Sequence, residues 1–254
     1  METKNRPAAR ILQAMASLLL ACLWFLAALF LAAAVEIAAE AAGAGENLRI
    51  AAGELLGWLP ISLLTILYLD RKHGKPERRP LPAPAFAKAC IGFALLGIVP
   101  LELAVRSLGG PYDLSGETVL GVIIGISTAP VAEELAFRAC IFRISRRGLG
   151  FKAALLLNLV LFAYIHGNFI GYLVNALPLV AASAAAYERT GDIRIGIAFH
   201  VITNLMVDVM AYAVVPAYVA VPLWLVCTVL FLRRAFKAVK APDPALFPSG
   251  APHA

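Results

Sequence analysis

The sequence predicts an all-α fold: a polytopic membrane bundle of about eight transmembrane helices, with both termini on the inner side. Three observations carry this. Of the 254 residues, 61% are hydrophobic and only 15% charged, and the mean hydropathy is +0.81; such a balance is foreign to soluble domains. Eight segments approach the roughly 20 apolar residues that a spanning helix needs: roughly 11–35, 50–69, 86–106, 118–144, 152–167, 169–187, 194–212 and 214–232. With the N-terminus inside, 19 of the 22 Lys and Arg fall in inner segments and two, Arg49 and Arg106, in outer loops; Arg138 lies within the membrane. That asymmetry supports an even number of crossings with N-in, C-in topology.

Helix 1 follows a short basic head of Lys4, Arg6 and Arg10. Its apolar run of about 25 residues exceeds the roughly 7–15 of a signal-peptide core, so it reads as a retained anchor. The Ala-rich segment after it, with Glu36, Glu40 and Glu46, is suited to continue that helix beyond the bilayer. Residues 1–69 form an N-terminal two-helix membrane segment. Residues 70–88, DRKHGKPERRPLPAPAFAK, read as a stiff, solvated cytoplasmic linker because they are basic and proline-rich. Residues 89–240 form a six-helix core, its sixth overall segment interrupted by Pro178 and its eighth crowded by Pro216 and Pro222. Residues 241–254, APDPALFPSGAPHA, lack helical periodicity and read as a disordered tail. His73 and His253 read as surface residues. Cys22, Cys90, Cys140 and Cys227 are scattered through apolar segments without CxxC spacing, and read as buried thiols. The net charge of +6 reads as a positive inner surface facing anionic lipid rather than as a nucleic-acid site.

Chemistry concentrates where ionisable groups interrupt apolar segments. A charge at the centre of a membrane helix costs about 2.5–3.5 kcal/mol on insertion scales, and the fourth segment, TVLGVIIGISTAPVAEELAFRACIFRI, holds Glu133, Glu134 and Arg138. Adjacent helical residues point about 100° apart, so the two acids face different ways. Arg138 is four residues after Glu134, the spacing of an ion pair, which leaves Glu133 free to face a cavity. Arg138 could also hold a substrate backbone. Pro130 has no N–H, so the carbonyl of Ile126 loses its helical partner and a kink is expected beside the site. In the fifth segment His166 follows Phe162 and Asn158 at four-residue steps; in the seventh His200, Asn204 and Asp208 do the same. A stripe of His, Asn and Asp must face protein or water rather than lipid. Asp208 reads as a peripheral polar contact. Each group alone also fits a purely structural role: an interhelical polar lock for the trio, an interfacial position for His166, interhelical hydrogen bonds for His200 and Asn204.

Together the groups spell E-E-x-x-x-R, F-x-x-x-H and H-x-x-x-N: Glu133-Glu134-Leu-Ala-Phe-Arg138, Phe162-Ala-Tyr-Ile-His166 and His200-Val-Ile-Thr-Asn204. In this the chain resembles the CAAX proteases and bacteriocin-processing enzymes (the CPBP or Abi family, type II CAAX prenyl endopeptidases), over roughly residues 118–210. The resemblance implies an eight-helix intramembrane endopeptidase whose catalytic groups fall on Glu133, His166, His200 and Asn204, with Glu134, Arg138 and Phe162 in support. Although the family is often described as metallo-enzymes, the reaction expected from these residues is metal-free: Glu133, helped by His166, takes a proton from water, while His200 and Asn204 donate hydrogen bonds to the oxyanion. One such donor can contribute about 2.7–4 kcal/mol. The competing arrangement places zinc between His166, His200 and Glu133, a known kind of ligand set; there is no HExxH pair, and Asn is a poor zinc ligand. No other cofactor is expected. Expected partners are membrane lipid and a peptide or membrane-anchored protein substrate. A basic chain with short loops suggests a bacterial inner membrane, where prenylated substrates are not expected. A non-enzymatic immunity or assembly factor of the same fold is a further alternative. A proton-coupled transporter would call for repeated halves, and no repeat is evident.

One tension is geometric. At about 1.5 Å per residue, Glu133 stands roughly 15 Å from Arg143, His166 roughly 21 Å from Lys152 and His200 roughly 9 Å from Arg194. Straight vertical helices would not bring them level.

Overall fold

The computed structural model describes residues 7–109, 119–167, 169–210, 213 and 215–239. Among the described residues every regular element is a helix, as the composition predicts. In chain order they are α1 (Pro7–Ala41), α2 (Glu46–His73), α3 (Ala83–Leu108), α4 (Val119–Ile126), α5 (128–149), α6 (151–165), α7 (Phe169–Asn175), α8 (Leu177–Thr190), α9 (Ile193–Val209) and α10 (Ala217–Val239). Lys4, Arg6, Thr118, Asn168, Lys240 and the expected disordered tail with His253 lie outside the described residues.

By length and apolarity, the described residues hold five helices able to cross a membrane, or six if α7 and α8, bent by 52°, count as one. The longest continuous stretch, Val119–Ile165, has 47 residues, about 70 Å of helix against about 30 Å of hydrocarbon. It is folded back on itself. Gly150 takes φ +75° and ψ 171°, a conformation open to glycine. On either side of it Asn158 donates from Nδ2 to the carbonyl of Phe137 at 2.6 Å, and the rings of Phe137 and Phe162 meet at 5.0 Å. Helices α5 and α6 are therefore an antiparallel hairpin. Helix α9 is 17 residues long, about 25 Å.

Helix α1 runs on to Ala41, so the acidic Ala-rich segment does extend it, and Glu40 pairs with Arg49 at 2.8 Å. The non-helical linker is shorter than the sequence suggests, residues 74–82. Helix α2 continues to His73, and Pro84 sits in the first turn of α3, where its missing N–H costs nothing. The linker is also tied down. Gly74 O accepts from Arg143 Nη2 at 2.7 Å, and the Arg79 amide donates to Thr190 O at 2.7 Å. Arg106, assigned by sequence to an outer loop, lies on α3 and is 7% exposed. It pairs with Glu102 at 3.3 Å and donates to Val207 O at 3.1 Å, because a helix partner at i−4 makes its burial tolerable. All four cysteines are free; Cys140 and Cys227 are buried, Cys22 and Cys90 only partly.

Trp24, Phe25, Trp58, Phe137 and Phe162 form one aromatic cluster joining α1, α2, α5 and α6. Trp24 Nε1 finds a partner in Thr65 Oγ1 at 2.7 Å, as a buried indole must. The N-terminal helices thus pack directly on the helices that carry the three motifs. Phe93 stacks on Phe199 at 4.5 Å and meets Phe231 at 5.9 Å, which ties α3 and α10 to α9. Outward-facing groups such as Leu12, Phe30 and Leu64 remain exposed, which suits a surface solvated by lipid chains.

Candidate active site

The backbone breaks where Pro130 predicts. Ser127 leaves the helical region (φ −124°, ψ −73°) and separates α4 from α5. Carbonyls at such a break need outside partners. One is supplied by Asn204 of α9, whose Nδ2 donates to Gly125 O at 2.6 Å. Immediately after Glu134, residues Leu135–Phe142 adopt a π-helical turn, a widened form that often accompanies functional sites.

Glu134 and Arg138 are both fully buried and meet at 3.2 Å, Oε2 to Nε. The pair is the one that four-residue spacing predicts. The expectation that Arg138 could also hold a substrate backbone is corrected: the guanidinium is 0% exposed and lies over the Phe162 ring at 5.2 Å, out of reach of any substrate. Glu134 has a second partner, since its Oε1 lies 3.2 Å from His200 Nδ1. An ionised carboxylate only accepts, so Nδ1 carries the proton of that bond. Close approach of α5 to α9 depends on Gly196, one turn before His200. A Cβ there would stand 2.6 Å from Glu134 Oε2 and 3.3 Å from Ser183 Cβ.

Glu133 points elsewhere. Its Oε2 is 3.8 Å from His200 Nε2 and 4.0 Å from His166 Nε2, and has no hydrogen-bond partner. The two acids, about 100° apart on their helix, share His200 through its two ring nitrogens. Spacing alone did not reveal this, because the shared partner comes from another helix. His166 caps the C-terminal end of α6, followed by Gly167 at φ +77°. Its Nδ1 donates to Phe162 O at 2.8 Å, which leaves Nε2 toward Glu133. The three side chains meet despite the predicted depth mismatch, with the Ser127 break and the π turn flanking Glu133.

The structure thus gathers Glu133, His166 and His200 around one point, with Glu134, Arg138 and Phe162 behind them. Asn204 stands at the margin, with one of its two amide hydrogens committed to Gly125. Asp208 lies further along α9, on the side of Arg106. Asn158 is fully buried and fastens α6 to α5. Among the described residues no three His, Cys, Asp or Glu side chains are grouped so as to hold a metal ion.

Two residues near the site went unnoticed in the sequence. Glu54 on α2 is 8% exposed, and its Oε2 accepts from Thr128 Oγ1 at 3.2 Å, at the start of α5. It carries the same signal as Glu133, an acid within an apolar span. Tyr172 on α7 stacks on His166, and no sequence signal marks it.

Neither the curated proteins nor the solved structures contain a match to this chain. A family model does match: Rce1-like, type II CAAX prenyl endopeptidase, over residues 115–206. The match spans all three motifs and leaves α1, α2, α3 and α10 outside it. The segment that builds the polar site of this membrane protein is therefore similar to the Rce1-like type II CAAX prenyl endopeptidases.

Proposed function

We propose that the protein is an intramembrane endopeptidase that hydrolyses a peptide bond of a membrane-associated peptide or protein without a metal. One observation carries this reading: Glu133 has an unpartnered carboxylate oxygen 3.8–4.0 Å from two imidazoles, while Glu134 is engaged by Arg138 and His200. A separation near 4 Å is too long for a direct hydrogen bond. It suits a water oxygen held off the line at about 2.8 Å from each group.

In this mechanism Glu133 takes a proton from water as the water oxygen bonds to the scissile carbonyl carbon. His166 Nε2 orients that water. The carbonyl π electrons move to the oxygen, and the oxyanion accepts hydrogen bonds from Nε2–H of His200, in its imidazolium form, and from the second amide hydrogen of Asn204. Glu134 at Nδ1 balances the imidazolium charge. Collapse of the oxyanion breaks the C–N bond, and the proton held by Glu133 passes to the leaving nitrogen. The products are a carboxylic acid and an amine, which exchange a proton to become carboxylate and ammonium. General-base assistance of this kind is worth about 10²–10⁴-fold.

The zinc-dependent alternative needs Glu133 as a ligand, and Glu134, already in two ion pairs, is then a poor substitute base. The topology we propose is eight crossings, with the α5–α6 hairpin as two, α7–α8 as one and α9 as one, and with both termini inside. The basic inner face would meet anionic lipid, in a bacterial cytoplasmic membrane, and substrates would be unprenylated peptides or anchored proteins.

The test is cleavage of a membrane-spanning peptide by purified protein in lipid nanodiscs. Glu133→Gln and His200→Ala should lower kcat by at least about 100-fold, and a strong chelator should leave wild-type activity intact. Equal activity of the three proteins would reject the assigned roles. Loss on chelation with recovery on adding zinc would reject the metal-free mechanism.

A further inference from the structure

His166 is the most exposed of the three groups at the centre, with 23% of its side chain accessible against 15% for Glu133 and 4% for His200. It is also the last residue of its helix turn, followed by a left-handed glycine. The backbone holds the ring through one bond, from Nδ1 to the Phe162 carbonyl at 2.8 Å. Two aromatic rings confine its faces. Phe162, one turn earlier, lies 4.6 Å from the imidazole at 32°, and Tyr172 of α7 lies 4.5 Å away at 25°. Two rings this near and this close to parallel cannot share one face of an imidazole, so they bracket it. The contacts continue inward, since Arg138 lies 5.2 Å from the Phe162 ring. A series runs from the buried guanidinium through Phe162 and His166 to Tyr172.

We infer that Tyr172 is a positioning residue for the reaction, an inference that rests on the protease reading above. Its ring closes the outer face of His166 and sets the imidazole so that Nε2 faces Glu133. Phe162 belongs to the same helix as His166 and moves with it. Tyr172 comes from α7, a separate helix bent by 52° from α8. Assembly of the Glu133–His166 pair is therefore conditional on α7 being seated over the site. On α7, Ile170 and Val174 are exposed while Tyr172 lies against the ring of His166. A substrate that displaces α7 to reach Glu133 would release His166, and α7 must settle again before water is activated. The role rests on the aromatic face, which is what lies against the imidazole.

The experiment compares wild type, Tyr172→Phe and Tyr172→Leu in nanodiscs with two readouts. The first is peptide cleavage. Leu should lower kcat by about 3- to 10-fold, the worth of one aromatic contact, with KM within about twofold of wild type. Phe should match wild type, and thermal midpoints should agree. The second is the rate at which diethyl pyrocarbonate modifies His166, located by mass spectrometry. Leu should raise that rate several-fold and Phe should not. Leu behaving as wild type in both readouts would overturn the inference. Phe as impaired as Leu would also overturn it, since the hydroxyl and not the ring would then be responsible. If wild type and Glu133→Gln cleave equally, the protease reading falls, and the modification rates still decide the placement of Tyr172.

Discussion

Replacing Glu134 with Gln keeps the side chain's shape and removes its charge, and the structure makes the consequence calculable. Arg138 is 0% exposed, and Nε, Nη1 and Nη2 have no hydrogen-bond partner. Its charge is compensated by the 3.2 Å contact to Glu134 and by the Phe162 ring. Breaking a buried pair from one side leaves an uncompensated charge and costs about 3–5 kcal/mol. At about 2–4 °C per kcal/mol for a chain of this size, the thermal midpoint should fall by about 6–20 °C. Removing the second charge as well should reverse most of this, because an apolar replacement of a whole buried pair is often neutral. Glu134→Gln/Arg138→Met should therefore be more stable than Glu134→Gln alone, a non-additivity that neighbouring sites show and distant ones do not. Activity should not recover with stability, since His200 Nδ1–H then faces a neutral amide oxygen in place of the carboxylate that balances the imidazolium charge. The assay is thermal unfolding of the three proteins in one detergent, followed by cleavage kinetics. A midpoint for Glu134→Gln within about 1 °C of wild type, or a double variant no more stable than the single, would refute the reasoning.

Two further outcomes follow from the same geometry. Gly196→Ala should cost about 1–3 kcal/mol and depress cleavage, since the new methyl would sit 2.6 Å from Oε2 of Glu134, whose carboxylate is held by Arg138 through that oxygen and by His200 through the other; an unchanged midpoint with full activity would show that α5 and α9 can part. Asp192 caps α9, and its carboxyl is held below the usual range by hydrogen bonds from the side chain and then the backbone N–H of Arg194, against an opposing effect of burial. A depressed folded-state pKa contributes stability that is present above the unfolded value, about 3.9, and lost as pH falls through the folded one. Asp192→Asn, which preserves a cap, should be less stable than wild type at pH 7 and equal to it in strong acid; a difference independent of pH would contradict the assignment.

Local rules determined much of this protein. Hydropathy and length marked out the five or six described helices able to cross a membrane, because the bilayer demands about 20 apolar residues whatever the fold. The four-residue step revealed the Glu134–Arg138 pair and the Pro130 break, since both are events within one helix. The motif residues were legible because charge within lipid is costly and each such group stands out. Only the tertiary structure decided what depends on two helices at once: that His200 links both glutamates, that Arg138 is sealed away, and that Asn204 spends a hydrogen on Gly125. The roles of Glu54 and Tyr172 belong here too. Glu54 is an ordinary interruption of α2 until folding sets it beside Thr128, and Tyr172 is an unremarkable aromatic until the chain turns at Gly167. Sequence spacing constrains directions about one helix axis, and the meeting of separate axes is set by packing, which no single segment contains.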